Sequence, residues 1–244
     1  MTGTEDNRRK RFYQAASVSE PAGDPPHFRI LLDGRGVRTP AKRQLAVPSR
    51  ELAEALAGEW DAQVTHINPL SMLLTRLVNS ALDGVTGREA DVRASILAYA
   101  GSDLLCYLAP EPIELVEQQS KGWGAIHAWA KQEHGVELAQ AVGVMPVTQD
   151  PAILAKLDAA LGMVGPLALA GLHVMTALTG SLLLTFAVRE SRISAEEAWS
   201  LAHIDEDYQV GRWGRDDAAA TRRQQRWLEM SAAARLVAWA GNLG

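Results

Sequence analysis

At 244 residues with 47% hydrophobic side chains, the chain is long enough to bury a substantial core, as one large or two small domains. Its formal charge of -5 excludes a generic nucleic-acid binder, which needs a basic surface to neutralise phosphates. A lone cysteine, Cys106, excludes an internal disulfide; set in an apolar run, it reads as a buried, inert thiol in a reducing compartment.

Met1 to Arg11 is polar and closes on Arg8-Arg9-Lys10-Arg11 with no apolar stretch behind it. That is the wrong pattern for a secretory signal, so the chain is expected to stay in the cytosol and the basic run to be a solvated, mobile end. From Phe12 to Val47, Pro21, Gly23, Pro25, Pro26, Gly34, Gly36 and Pro40 deny any long helix. Phe28 to Leu32 followed by Asp33-Gly34 is a hairpin signal, because a two-residue type I′ turn needs positive φ. Gly34 and Gly36 read as turn residues and not as a phosphate loop, since no helix follows them.

After Pro48 the apolar period becomes helical. Ser49 caps a helix to about Gln63 that buries Leu52, Leu56 and Trp60, and Asn68-Pro69 opens another to about Asp83. Thr86 with Glu89 suggests a capping box for a helix to about Ala100. Ile113 to His134 supplies one long or two short helices stopped by Gly135, Val136 to Val147 is ambiguous and compatible with extended chain, and Asp150-Pro151 opens a helix to about Leu161. Between Asp158 and Arg189 no residue is formally charged, a length that would permit a membrane span. Five glycines and prolines and the polar His173, Thr176, Thr179, Ser181 and Thr185 favour two short buried helices joined near Gly180, with His173 a core histidine. A last helix runs from about Asp216 to Ala240, with Arg222, Arg223 and Arg226 on one face that could meet a phosphate or an acidic partner. The expected fold class is α+β: a small β-rich unit over residues 1–48, then a helical domain over residues 49–244. Seven tryptophans outnumber the three phenylalanines, and all fall in segments read as helical, where they should anchor packing.

Ser194 to Trp213 carries the clearest local grammar. Ser194 is a good N-cap with Glu197 at N3, so the two can close a capping box at the start of one helix. At helical spacing Trp199, Ala202, Glu206, Gln209 or Val210, and Trp213 form a stripe, which puts a carboxylate in line with two tryptophans. An unpaired buried carboxylate is costly, so Glu206 meets an arginine inside the protein, snorkels to the edge, or waits for an external partner. The catalytic motifs sought along the chain, a GxSxG elbow, a Walker loop, HExxH, paired cysteines and a dinucleotide fingerprint, do not occur in it. His203 and Asp207 lie one turn apart and could share a metal, as could Asp205 and Glu206, which keeps a small-molecule or metal-dependent enzyme on this acidic helix as the alternative.

Several stretches resemble one family. Leu32-Asp33-Gly34-Arg35 with Thr39-Pro40, Glu59-Trp60-Asp61 with Gln63, Thr75-Arg76, Ser102 to Tyr107, and finally Ala198-Trp199, Asp205-Glu206, Gln209, Trp213-Gly214 and Asp216 stand in that order. Together they resemble the assembly chaperones that bind the alpha subunit of the F-type ATP synthase before its catalytic head is built. The chain departs from that pattern at Leu73, where a proline is usual, and at Gly124-Ala125, where Asp-Pro is usual. The resemblance implies a non-enzymatic chaperone without a cofactor or metal that binds the free alpha subunit transiently; the excess of arginine over lysine and the abundant alanine point to a GC-rich bacterial genome, and the expected protein is a cytoplasmic monomer that inserts into no membrane. It implies client contacts at Trp199, Asp205, Glu206, Gln209 and Trp213, and a structural joint at Trp60 and Asp61.

Overall fold

The structure, a computed structural model, describes residues 8–162 and 164–241. The N-terminal sheet is built from β1 (Ala16–Val18), β2 (Phe28–Leu32), β3 (Arg35–Gly36) and β4 (Ala46–Val47), with β2 antiparallel to each of the others. Asp33 and Gly34 take φ of 47° and 79°, the positive pair that the Asp-Gly turn requires, and Leu32 pairs with Arg35 across it. Ile30, Leu45 and Val47 turn inward and are fully or almost fully buried.

That apolar face does not close on itself. It packs on Leu52, Ala53 and Leu56 of α1 (Arg50–Asp61) and on Leu74 and Val78 of α2 (Leu73–Ser80). Ala232 and Leu236, nearly two hundred residues downstream in sequence, complete the same cluster. A few short strands alone bury too little to be stable, and the helices supply the missing apolar surface.

Ser49 caps α1 by accepting from Leu52 N, as its position suggests. The next segment differs from a single helix. Pro69–Ser71 is a 3-10 turn, α2 follows, and Ala81–Val85 widens into a π turn. Glu59 explains how α2 can start without a capping side chain of its own: its two carboxylate oxygens accept from Leu74 N and Thr75 N, each at 2.8 Å. The Thr86–Glu89 capping box does not form. Thr86 Oγ1 donates to the Ala81 carbonyl and closes the π turn, while Glu89 accepts from Gly87 N, so α3 (Glu89–Ala98) begins uncapped at Arg88.

Met1 to Asn7 lie outside the described residues; Arg8, Arg9 and Lys10 are exposed to solvent as expected, but the run is tied down rather than loose, with Ile67 N donating to the Arg9 carbonyl and Arg11 N to the Thr65 carbonyl. Arg11 donates to the carbonyls of Tyr13, Gln14, Asp61 and Gln63 and pairs with the Asp61 carboxylate at 3.0 Å. Lys10 bridges to His66 in an antiparallel pairing. Trp60 stands beside this knot: Tyr13 Oη donates to its carbonyl at 2.6 Å and the two rings meet edge to face.

The larger core lies among α4 (Ile113–His134), α5 (Pro151–Leu161), α6 (Pro166–Thr179), α7 (Leu182–Arg189), α8 (Ala195–Ala202) and α10 (Asp217–Gly241), with α9 (Ile204–Trp213) against its edge. β5 (Tyr107–Leu108) and β6 (Ala141–Val142) form a short parallel pair, so the ambiguous stretch after Gly135 is extended chain. Gly180 adopts φ 68° between α6 and α7, which are two short helices as their glycines and polar residues predict, and none of the described helices is long and apolar enough to cross a membrane. His173 is half-buried with Nε2 3.3 Å from Ser95 Oγ, so it is a boundary residue and not a core one. Burial pushes the Cys106 thiol up to about 12, which keeps it protonated and inert.

Asp103 ties the two halves of this core together. Its Oδ1 accepts from Leu105 N at 3.1 Å and its Oδ2 from Leu182 N and Leu183 N at 2.8 and 3.2 Å. One fully buried carboxylate therefore caps both the 3-10 turn Leu104–Cys106 and the start of α7.

α6 and α10 are in close contact at Gly171. A Cβ there would stand 2.6 Å from Val237 Cγ2 and 2.9 Å from the Ala233 carbonyl oxygen. Alanine gains about 1 kcal/mol of helix propensity over glycine. The backbone oxygen cannot rotate away, however, so the overpacking cost of about 1 to 3 kcal/mol should win. Gly171→Ala is expected to lower the thermal midpoint, and a raised midpoint would show that the crossing has slack.

Candidate functional site

The helix expected to run unbroken from Ser194 to Trp213 is two helices, because His203 interrupts it. The capping box at its start is present, with Glu197 N donating to Ser194 Oγ and Ser194 N to Glu197. At His203 the ring Nδ1 donates to the Trp199 carbonyl at 2.7 Å, the acceptor that the His203 backbone N–H would otherwise take. That N–H turns to Ser200 O, the residue leaves helical geometry at φ -120° and ψ 19°, and α9 starts afresh at Ile204. His203 is buried with its ring against Trp199, centroids 4.0 Å apart, and burial first of all holds its pKa below the ordinary histidine value.

The break does not scatter the stripe. Trp199, Glu206, Gln209, Val210 and Trp213 line one groove of about 690 Å³ whose opposite wall is the first half of α10, including Ala220, Arg223 and Trp227. Trp199 and Trp227 form its floor, ring centroids 5.8 Å apart. Trp213 does not anchor packing as the tryptophans were expected to do: it is 86% exposed and forms the rim. Gly214, at φ 90°, ends α9, and Asp216 then starts α10 by accepting from Ala219 N at 2.9 Å. The backbone N–H groups of Ala219 and Ala218 hold the Asp216 carboxyl below the usual range.

The acids of α9 have separate fates. Asp205 faces α4 and accepts from Gln119 Nε2 at 2.6 Å; Gln119 is buried and its Oε1 in turn takes Ala109 N. It is therefore not among the residues lining the groove, unlike the other four expected client contacts. Asp207 holds Arg223 with both oxygens, one of them 2.9 Å from Nη2, and this bond raises the guanidinium pKa. Of the basic face on α10, Arg223 is thus occupied and Arg226 donates to the Leu178 carbonyl at 3.2 Å.

Glu206 is the carboxylate left over. Its side chain is 46% exposed, and among the described residues no arginine or lysine pairs with it. His203 Nε2 lies 3.9 Å away and is kept toward the neutral form by burial, while Arg223, bonded to Asp207, feels the Glu206 charge without forming an ion pair with it. The arginine-paired reading of Glu206 therefore does not hold. A shared metal has no better support: Asp205, Asp207 and His203 each point to a different partner, and among the described residues no three metal-ligating side chains converge.

Trp60 and Asp61 lie elsewhere, at the end of α1 beside Arg11 and Tyr13. Sequence reasoning missed Trp227, Gln119 and the Asp207–Arg223 pair as parts of the site. No local signal announces them, since each partner is fourteen or more positions away. A larger depression of about 1290 Å³ lies between Pro48, Pro166, Ile193 and Arg235, but it gathers none of the expected client contacts.

Comparison with known proteins gives a consistent result. A family model described as ATP12 chaperone protein matches residues 10–131, half of the chain. The mitochondrial atp12 protein of Schizosaccharomyces pombe is 23% identical over 217 residues, covering 84% of this chain and 74% of that protein. The crystal structure of Atp12 from Paracoccus denitrificans is 38% identical, covers 95% of this chain and 98% of its own, and superposes with a TM-score of 0.88. A crystal structure from Agrobacterium tumefaciens is 42% identical, with 94% and 85% coverage and a TM-score of 0.90.

Proposed function

Because the chain belongs to the ATP12 chaperone family, which serves assembly of the F-type ATP synthase, we propose that it binds the free alpha subunit and shields it until the catalytic head is built. The groove beside α9 is the proposed client surface, with Trp199, Glu206, Gln209 and Trp213 in contact and Asp205 positioning α9 through Gln119. The observation that carries this reading is the pairing of an 86% exposed Trp213 with a carboxylate that forms no ion pair with an arginine or lysine among the described residues. Water tolerates such a surface at a cost, and a client that covers the ring and neutralises the charge removes it. Binding is transient, as the chaperone role demands, and a monomer acting in the bacterial cytosol suffices for it.

Co-expression with the alpha subunit tests the proposal. The yield of soluble alpha subunit should rise several-fold when this protein is present, and the two should co-purify. An unchanged yield together with no co-purification would refute it.

A further inference from the structure

We propose that the groove recognises a client segment in which an arginine stands next to a large aliphatic or aromatic side chain. This rests on the client-binding reading above and names the chemistry of the partner.

The charges in the groove decide the sign. Its lining carries the acids Glu196, Glu206 and Asp216 and the bases Arg215 and Arg223. Asp216 is held by the amides that begin α10, and Arg223 is held by Asp207. That leaves Glu196 and Glu206 against Arg215; Arg223 also feels the Glu206 charge, but its own charge is matched by the bonded Asp207, so the balance stays negative. His203 faces Glu206 from below but is shifted toward neutrality by burial, so it does not cancel the excess. An incoming cation is therefore favoured and an incoming carboxylate opposed.

The apolar surface decides the company that cation keeps. Trp199 and Trp227 make the floor, Val210 is 38% exposed on the wall, and Trp213 is 86% exposed at the rim. A lone lysine would leave these rings wet. An arginine can lay its planar guanidinium on an indole face while forking to a carboxylate, and a neighbouring leucine or phenylalanine can cover the floor. The groove volume of about 690 Å³ lies within the range of about 300 to 1,000 Å³ usual for sites that enclose a ligand.

Two sets of fluorescein-labelled peptides test this against the full-length protein: overlapping segments of the alpha subunit, and designed peptides holding Leu-Arg-Leu, Leu-Glu-Leu or Ser-Arg-Ser in a neutral frame. The Leu-Arg-Leu peptide, and those alpha segments with an arginine beside a large apolar residue, should bind and shift tryptophan emission to the blue. Leu-Glu-Leu and Ser-Arg-Ser should each bind at least about tenfold more weakly, the scale of one lost partner in a desolvated pair. Glu206→Lys should reverse the preference between Leu-Arg-Leu and Leu-Glu-Leu, a swap that a purely structural role for Glu206 would not produce. Trp213→Ala should weaken binding and remove most of the blue shift. Equal binding of Leu-Arg-Leu and Leu-Glu-Leu, or preferred capture of acidic segments, would overturn the proposal even if co-expression still protects the alpha subunit. Concentration-dependent self-association abolished by Trp213→Ala would overturn it too, by making a second copy the occupant. Binding of Leu-Arg-Leu with no binding of any alpha segment would support the groove chemistry while sinking the alpha subunit as its client.

Discussion

Asp103→Ala is expected to cost at least about 3 kcal/mol, a large share of the roughly 5 to 15 kcal/mol that holds an ordinary domain together. The substitution leaves Leu105 N, Leu182 N and Leu183 N without their acceptor at a position closed to solvent. Each stranded donor costs about 1 to 3 kcal/mol, and the loss is partly relieved only if water follows the alanine into the space. Burial holds the Asp103 carboxyl above its ordinary range, although hydrogen bonds from Ser181 and the backbone pull against it. Asp103→Asn keeps the size and one acceptor oxygen, and should fall between parent and alanine. Urea unfolding read by tryptophan emission would show the order; an alanine variant within about 1 kcal/mol of the parent would mean that the double cap is dispensable.

Glu206 should behave in the opposite way, with a small effect on stability and a large one on binding. At 46% side-chain exposure and with no arginine or lysine in an ion pair with it, Glu206→Gln should leave the unfolding free energy within about 0.5 kcal/mol of the parent. Retention of the alpha subunit should fall by about 2 to 5 kcal/mol, the range for losing one member of a desolvated charge pair. Glu206→Lys should be worse, because repulsion is added to the lost attraction. The two measurements belong together: thermal unfolding of the variant alone, and the amount of alpha subunit it keeps soluble. A destabilised variant that protects the client normally once folded would return Glu206 to a structural role.

Much of the secondary structure was legible because its causes are local. Ser49, Ser194 with Glu197, and Asp150 before Pro151 each satisfy amides two or three residues on, and Asp33-Gly34 and Gly180 mark turns through their own φ. The α+β division followed from where prolines and glycines cluster and where the apolar period turns helical. The family was legible from motifs in order along the chain, and the fold and the comparisons agree with it.

What the tertiary structure decided are the matters that depend on partners far apart in the chain. The helix break at His203 looks like continuous helix in sequence, since no glycine or proline marks it; a ring nitrogen competing for the Trp199 carbonyl makes it. Thr86 had two good partners and the π turn took it, so the capping box lost. Arg11 reads as the end of a basic tail until Asp61 and Gln63, fifty positions on, fold back over it. Among three adjacent acids the sequence offers no ranking: Gln119 from α4 claims Asp205, Arg223 from α10 claims Asp207, and Glu206 is left facing the groove. Hydrogen bonds and ion pairs are short in range, so which of several equivalent side chains stays free is settled only when distant helices are brought within about 3 Å.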